Sequence, residues 1–139
     1  MQKIILDTNV LVSALIKRSY PFLIVDEIFT NDEIIFCLSD ELFSEYLNVL
    51  NRKKFQKFPD FLINAQALLI DIEIKSMKYK PTVKLDIISD LDDNKLLELA
   101  ETSNADYLIT GNTNDFSFPE YKGTKIVTPK EFWTNYILK

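Results

Sequence analysis

Carboxylates are the most numerous reactive side chains of this 139-residue sequence, which has 21 Asp and Glu residues against 16 Lys and Arg residues and a formal net charge of −5. It contains no histidine and one cysteine. The lack of histidine excludes Ser-His-Asp and Cys-His nucleophile systems. It also disfavours a zinc site, because such sites use histidine and cysteine ligands. Two glycines, Gly111 and Gly123, cannot form a dinucleotide-binding fingerprint or a P-loop.

Four acids stand out by position: Asp7, Glu45, Asp93 and Asp115. Asp7 directly follows an apolar run, and Asp115 lies in a polar loop behind the run that ends at Thr110. In parallel sheets, ligands bind beyond the carboxyl ends of the strands. We therefore expect these two acids to share one edge of a sheet.

The elements that must position these acids alternate between strands and helices. Continuous apolar runs, typical of buried parallel strands, cover residues 3–6, 34–38, 107–110 and 125–128, and residues 71–75 form a further possible strand. Apolar spacing and capping residues predict helices over 8–17, 22–29, 40–50, 59–70, 92–103 and 129–137. This alternation predicts a three-layer α/β/α fold with a mostly parallel central sheet of about five strands, in one domain over residues 1–139.

Helix phase gives two of the acids an inward direction. Asp93 precedes Leu96 by three residues and Leu97 by four, so it shares the core-facing stripe of its helix. Glu45 lies between Leu42 and Val49, at the margin of the buried face of the preceding helix. An inward acid at a helix end requires a cap, an ion pair or a metal.

Each acid also has a purely structural explanation. Asp7 is placed like an N-cap, Glu45 like a snorkelling or ion-paired residue, and Asp115 like an Asx-turn residue. Asp90 and Asp92 fit as cap and dipole partner of the helix that carries Asp93. One shared site explains all four positions with a single cause.

Carboxylates that converge on one edge repel each other unless cations lie between them. Ligation by oxygen alone selects hard ions, so Mg²⁺ is expected and Mn²⁺ can substitute for it. Such a site activates a water molecule without any histidine, and phosphodiester hydrolysis is the reaction that matches it best.

The same residues carry a family likeness that spans nearly the whole chain. The stretch from Asp7 to Ala14 (DTNVLVSA) resembles the opening motif of PIN-domain proteins, and Glu45 lies where that family has its second acid. The stretch 90–100 (DLDDNKLLELA), with Asp93 at the catalytic position, and the stretch 107–116 (YLITGNTNDF) resemble its third and fourth motifs. The resemblance implies a Mg²⁺-dependent ribonuclease, most similar to the VapC-like toxins of type II toxin–antitoxin pairs, with an antitoxin protein as partner and a homodimeric state.

One position departs from the family pattern. The residue after Thr110-Gly111, often Asp in these proteins, is Asn112, which offers a carbonyl ligand without charge. Asp115 then takes the fourth-acid role, or a second metal binds weakly. Thr8, Asn9, Ser13 and Asp90 are expected as supporting groups; Asn9 and Ser13, four residues apart, face the site together.

A basic segment is the candidate path for RNA. Arg52, Lys53, Lys54 and Lys57 follow the Glu45 helix and either contact phosphates or form a solvated helix end. No apolar stretch reaches the roughly 18 residues of a membrane helix, and Cys37 lies within an apolar run. We therefore expect a cytoplasmic protein with a buried, inert thiol.

Two other functions remain open. Asp7-Thr8-Asn9 resembles the start of phosphatases that use an Asp nucleophile, although Asn9 stands where such enzymes need an acid. The alternative to both enzymes is a catalytically weakened PIN-like module that binds RNA or a partner protein, with Asn112 as the sign of lost activity.

Overall fold

A single six-stranded sheet organises the chain, in the spatial order β3-β2-β1-β4-β6-β5. The computed structural model describes residues 1–137. The strands are β1 (Gln2–Leu6), β2 (Ile34–Leu38), β3 (Met77–Lys78), β4 (Tyr107–Ile109), β5 (Glu120–Tyr121) and β6 (Thr124–Val127). All neighbouring strands pair in parallel except β5, which runs antiparallel to β6. The prediction of a mostly parallel α/β sheet is confirmed, with six strands where about five were expected.

Six α-helices flank this sheet: α1 (Thr8–Ile16), α2 (Tyr20–Thr30), α3 (Asp40–Leu50), α4 (Phe61–Lys75), α5 (Leu91–Ser103) and α6 (Pro129–Ile137). Ser39 caps α3 as predicted, because its Oγ accepts a hydrogen bond from the N–H of Leu42 at 3.2 Å. Pro21 falls in the first turn of α2, where its missing N–H leaves no helical hydrogen bond unmade.

The region after α3 differs from its prediction at both ends of α4. The helix begins at Phe61 instead of residue 59, and it continues to Lys75, so the possible strand over 71–75 is helical. Ile72 is fully buried and extends the inward stripe of Leu68 and Leu69 by one turn, which keeps the chain helical. Two strands were not predicted, the two-residue β3 that follows α4 and the two-residue β5.

The core is densest along β1 and β4, in the middle of the sheet. Ile4, Ile5, Leu6, Leu108 and Ile109 are completely buried. Helices cover both faces of these strands, which is why the sequence shows continuous apolar runs there. No helix within residues 1–137 is long and apolar enough to cross a membrane.

Strand order places a crevice beside the carboxyl ends of β1 and β4. From β1 the chain proceeds outward through β2 to β3, then returns across the sheet to β4 and continues outward on the other side. Open α/β sheets bind ligands where the direction of winding reverses in this way. The residues that directly follow β1 and β4 are Asp7 and Thr110.

Candidate active site

Asp7 and Thr110 meet at the carboxyl edge of the sheet. Leu6 of β1 is in register with Ile109 of β4, and the N–H of Asp7 donates to the carbonyl of Ile109 at 3.0 Å. The next residue, Thr110, is completely buried, and its Oγ1 donates to Oδ2 of Asp7 at 2.8 Å. Asp7 occupies the N-cap position of α1 but forms no side-chain capping bond to it. Its carboxylate is held by the neighbouring strand end instead.

Asn9 ties the loop after β4 to the start of α1. Its Oδ1 accepts the N–H of Gly111 at 3.1 Å, and its Nδ2 lies 3.4 Å from Oδ2 of Asp7. A Cβ atom at Gly111 would lie 3.4 Å from Oδ1 of Asn9, which is an ordinary contact, so the approach itself does not require glycine. Thr110 Oγ1 also accepts the N–H of Asn112 at 3.0 Å. Asn9 thus lies beside Asp7, and its supporting role stays a prediction. Ser13 makes no side-chain hydrogen bond within residues 1–137.

Glu45 reaches the site from α3. Thr8 Oγ1 donates to Oε2 of Glu45, which joins the first residue of α1 to the middle of α3. The hydroxyl of the fully buried Tyr46 donates to the carbonyl of Leu6, and this bond fixes α3 against the end of β1. Burial raises the pKa of Glu45, the hydrogen bond from Thr8 lowers it, and the negative charges of Asp92 and Asp7 raise it further.

Among the four acids, Asp93 has the most strongly raised pKa. Only 8% of it is exposed, and its Oδ2 is buried without a hydrogen-bond partner within the described residues. Burial, followed by the charges of Asp90, Asp7, Asp115 and Glu45, raises its pKa from 3.8 to about 7. The inward direction deduced from helix phase agrees with this burial.

The capping role near Asp93 belongs to Asp90. Its Oδ1 accepts the N–H groups of Asp92 and Asp93 at 2.8 and 3.2 Å, which is the N-cap predicted for it. Asp93 therefore does not cap its own helix. An unpaired, buried carboxylate oxygen is rare, because its desolvation is uncompensated.

Asp115 lies in a short 3₁₀ turn, Thr113–Asp115, beyond β4. The residue is exposed, and its charge is close enough to raise the pKa values of both Asp7 and Asp93. Asn112, which precedes the turn, is exposed and forms no side-chain capping bond. The negative charge on this side of the crevice thus comes from Asp115.

The four acids come from four different parts of the chain and act on one another electrostatically. Burial is the first cause of the raised pKa of Asp7, with Asp115 and Asp90 adding to it. None of the four forms an ion pair in the described part of the chain, whose ion pairs join Lys75 with Asp32, Lys95 with Asp92, and Lys122 with Glu101. Mutually repelling carboxylates with an unpaired buried oxygen form a donor set that suits a hard divalent cation. As they stand, no three acidic or thiol side chains among residues 1–137 form a ready-made ion site.

The predicted basic segment directly follows α3. It forms the turn Lys53–Phe55 after α3, and Arg52, Lys53, Lys54 and Lys57 are all exposed. The ammonium groups of Lys54 and Lys57 lie 5.2 and 5.4 Å from the ring centres of the adjacent Phe55 and Phe58. None of the four cations pairs with a site carboxylate within the described residues.

Thr110 is a residue of the site that sequence reasoning did not select. Its hydroxyl donates the shortest hydrogen bond that the Asp7 carboxylate accepts within residues 1–137, at 2.8 Å. The only available signal was a polar residue at the end of an apolar strand, directly before Gly111. Cys37 is buried, as predicted, and burial raises the pKa of its thiol.

Comparison with known proteins identifies the family. The family model of the PIN domain matches residues 3–114. The chain belongs to the PIN domain family. The match includes Asp7, Glu45 and Asp93 and ends one residue before Asp115. The resemblance deduced from the motifs is thereby confirmed at the level of the family.

A solved structure shares the fold. A chain in the crystal structure of VapBC2 from Rickettsia felis, bound to a DNA fragment from their promoter, is 17% identical and superposes with a TM-score of 0.59. The alignment covers 91% of this chain and 98% of that chain. A comparison with curated proteins gives no match.

Proposed function

We propose that this PIN-domain protein is a divalent-metal-dependent ribonuclease, the VapC-like toxin of a toxin–antitoxin pair. The observation that carries the proposal is the buried, unpaired Oδ2 of Asp93, placed in the field of Asp7, Asp115 and Glu45. A carboxylate in that environment is costly to keep unless a cation offsets it. The family match and the VapBC2-like fold support the toxin assignment.

Asp7 and Asp93 would hold the ion, with Glu45 and Asp115 as further ligands. Mg²⁺ is the proposed ion, and Mn²⁺ can replace it, because the donor set consists of carboxylate oxygens. When bound, such an ion supplies the Lewis acidity that lowers the pKa of water and offsets charge on a phosphodiester.

The chain's own residues would orient these ligands. Thr110 and Asn9 direct Oδ2 of Asp7, so this carboxylate keeps one rotamer when the site is loaded. Thr8 holds one oxygen of Glu45 and leaves the other available. Ligands fixed in this way lose little conformational freedom when an ion or a phosphate binds.

RNA must approach a protein with a formal net charge of −5. The exposed cations Arg52, Lys53, Lys54 and Lys57 are the proposed phosphate contacts, because they concentrate positive charge beyond α3, the helix that also carries Glu45. Phe55 and Phe58 anchor this segment, because both rings pack against the hydrophobic core.

An apolar surface on α4 is the proposed contact for the antitoxin. Ile63, Ile70 and Ile74 are 68%, 61% and 78% exposed and lie on one face of the helix. Contiguous apolar residues of this kind mark partner surfaces on soluble proteins. An Ile70→Glu variant should resist neutralisation by the antitoxin while it retains RNA cleavage. The homodimer and the cytoplasmic location are further parts of the proposal.

A cleavage assay tests the enzymatic proposal. The wild-type chain should cleave RNA with Mg²⁺ and lose this activity in EDTA, and Asp93→Asn should lower it by at least about 100-fold, because it removes a charged ligand. Glu33→Gln is the matched control, since Glu33 is an exposed acid directly before β2, at the end of the sheet opposite to the carboxyl edge. Equal Mg²⁺-dependent activity in wild type and Asp93→Asn would refute the assignment.

A non-catalytic binding module is the second candidate, favoured by the uncharged Asn112 and by the exposure of Asp115. Such a module predicts RNA or partner binding without cleavage at any Mg²⁺ or Mn²⁺ concentration. An aspartate-nucleophile phosphatase predicts instead a phosphoryl group trapped on Asp7 and no RNA cleavage.

A further inference from the structure

One buried side chain binds the loop that leads into α5. Asn94, in the first turns of α5, is only 1% exposed. Its Oδ1 accepts the N–H groups of Ile87 and Ile88 at 3.0 and 3.1 Å. Its Nδ2 donates to the carbonyls of Ile88 and Asp90 at 2.6 and 3.1 Å. Every donor and acceptor of the amide is therefore used.

Only an amide satisfies this arrangement at that size. A carboxylate has no donor for the two carbonyls. An aliphatic side chain would leave three backbone groups of the loop without partners, the N–H groups of Ile87 and Ile88 and the carbonyl of Ile88, because the carbonyl of Asp90 also accepts the backbone N–H of Asn94. The loop over residues 79–90 has no helix or strand of its own. Tyr79 at its start donates its backbone N–H to the carbonyl of Leu38, and the later part of the loop is bound by side chains of α5.

Asp90 transmits this position to the site. Its carbonyl accepts both the backbone N–H and the Nδ2 of Asn94, each at 3.1 Å, and its carboxylate holds the N–H groups of Asp92 and Asp93. The side chain of Asp93 has an unpaired Oδ2, so no hydrogen bond on that oxygen orients it. The direction of this carboxylate follows from where Asp90 and the start of α5 are held.

We propose that Asn94 is a positioning residue for the carboxylate site, which keeps Asp90 and Asp93 in place for metal binding. This inference rests on the proposed function. Glu98 provides a matched comparison one turn further along α5, because it is also buried and its Oε2 accepts the N–H of Leu85 at 2.9 Å. It binds the same loop, but five residues before Asp90.

The experiment compares Asn94→Ala with Glu98→Ala and the wild-type chain. Mn²⁺ binding is measured by calorimetry without RNA, and amide hydrogen exchange is measured on the same samples. Asn94→Ala should raise the dissociation constant for Mn²⁺ by about tenfold or more, as loss of a group that orients metal ligands does. Glu98→Ala should leave it within about twofold, because its contact is remote from Asp90.

Hydrogen exchange separates positioning from general loss of stability. In Asn94→Ala the amides of Ile87 and Ile88 should lose protection, whereas in Glu98→Ala only that of Leu85 should. If Asn94→Ala does not fold, Asn94→Ser serves in its place, because its hydroxyl still accepts one N–H. The inference alone would be overturned if the Asn94 variant bound Mn²⁺ as tightly as the wild type. It would also be overturned if the Glu98 variant bound Mn²⁺ as weakly as the Asn94 variant. A wild-type chain that binds no Mn²⁺ would overturn the proposed function as well.

Discussion

Replacing Asp93 with Asn should stabilise the metal-free protein at about pH 8, although the same change should abolish its activity. The carboxylate is buried among other acids, and its pKa rises from 3.8 to about 7. At about 1.4 kcal/mol for each tenfold change in proton affinity, ionised Asp93 would destabilise the folded state by about 4 kcal/mol. Asparagine removes this charge and keeps the shape of the side chain.

Two opposing effects reduce the expected gain. Protein and solvent relax around a charge even at a buried position, so about half of that value, about 2 kcal/mol, is expected. The charge also interacts favourably with the N-terminal end of α5, and its loss subtracts about 0.5 kcal/mol. The net gain is about 1.5 kcal/mol, which corresponds to a rise in Tm of about 5 °C for a chain of this length.

The pH dependence follows from the direction of the pKa change. Because folding raises the pKa of Asp93, the folded wild type binds more protons than the unfolded chain between pH 3.8 and about pH 7. Its destabilisation is therefore complete above about pH 7 and decreases as the pH falls toward 3.8. The stability difference between Asp93→Asn and wild type should shrink over the same range.

Urea denaturation in EDTA at several pH values measures this difference. Glu33→Gln is the control, because it removes an exposed charge at the opposite end of the sheet without relieving the cluster. It should change stability by about 0.5 kcal/mol or less. A destabilised Asp93→Asn variant at about pH 8, or a gain that does not change with pH, would refute the electrostatic interpretation of the site.

Three further predictions concern the edges of the site. Thr110→Val should lower the free energy of unfolding by about 1 to 2 kcal/mol, measured by urea denaturation, because Asp7 and the N–H of Asn112 lose their partner. Asn112→Asp should raise Mg²⁺ affinity in calorimetry, because it adds a carboxylate to the crevice. Replacing Lys53 and Lys54 with Gln should weaken RNA binding and flatten its salt dependence, with a change of about 1 to 1.5 in the slope of log K against log salt concentration.

Each of these has an outcome that would contradict it. Unchanged stability of Thr110→Val would mean that its hydroxyl does not hold Asp7. Unchanged or weaker Mg²⁺ binding by Asn112→Asp would place residue 112 outside the ligand set. An unchanged salt dependence of RNA binding would mean that RNA does not contact Lys53 and Lys54. Lys84→Gln serves as the control, because Lys84 is an exposed lysine of the loop before α5.

The sequence was most informative where one face of an element is buried. β2 matches its predicted bounds, and the phase of α5 directed Asp93 inward because Leu96 and Leu97 define the buried stripe. The end of α4 was not predictable in this way. Ile70 and Ile74 are exposed, so apolar residues occupy several faces of α4. Their spacing in the sequence therefore does not show the helical repeat that would have indicated a helix.

The missed contributions at the site depend on long-range neighbours. The role of Thr110 requires β4 to pair with β1, 103 residues away, and a polar residue at a strand end otherwise indicates only a turn. Asn94 stands in a helical turn with charged neighbours, which is typical of solvent exposure. It is buried because the loop over residues 79–90 folds across it.

The central position of β1 determines when the site can form. Asp7 lies 100 residues before Tyr107, where its partner strand β4 begins. Contacts this distant in sequence form late, because a long chain segment must first be closed. A nascent chain that ends before Thr110 therefore cannot assemble the carboxylate cluster. The order of the strands itself delays the proposed nuclease activity until β4 and the loop after it have been synthesised.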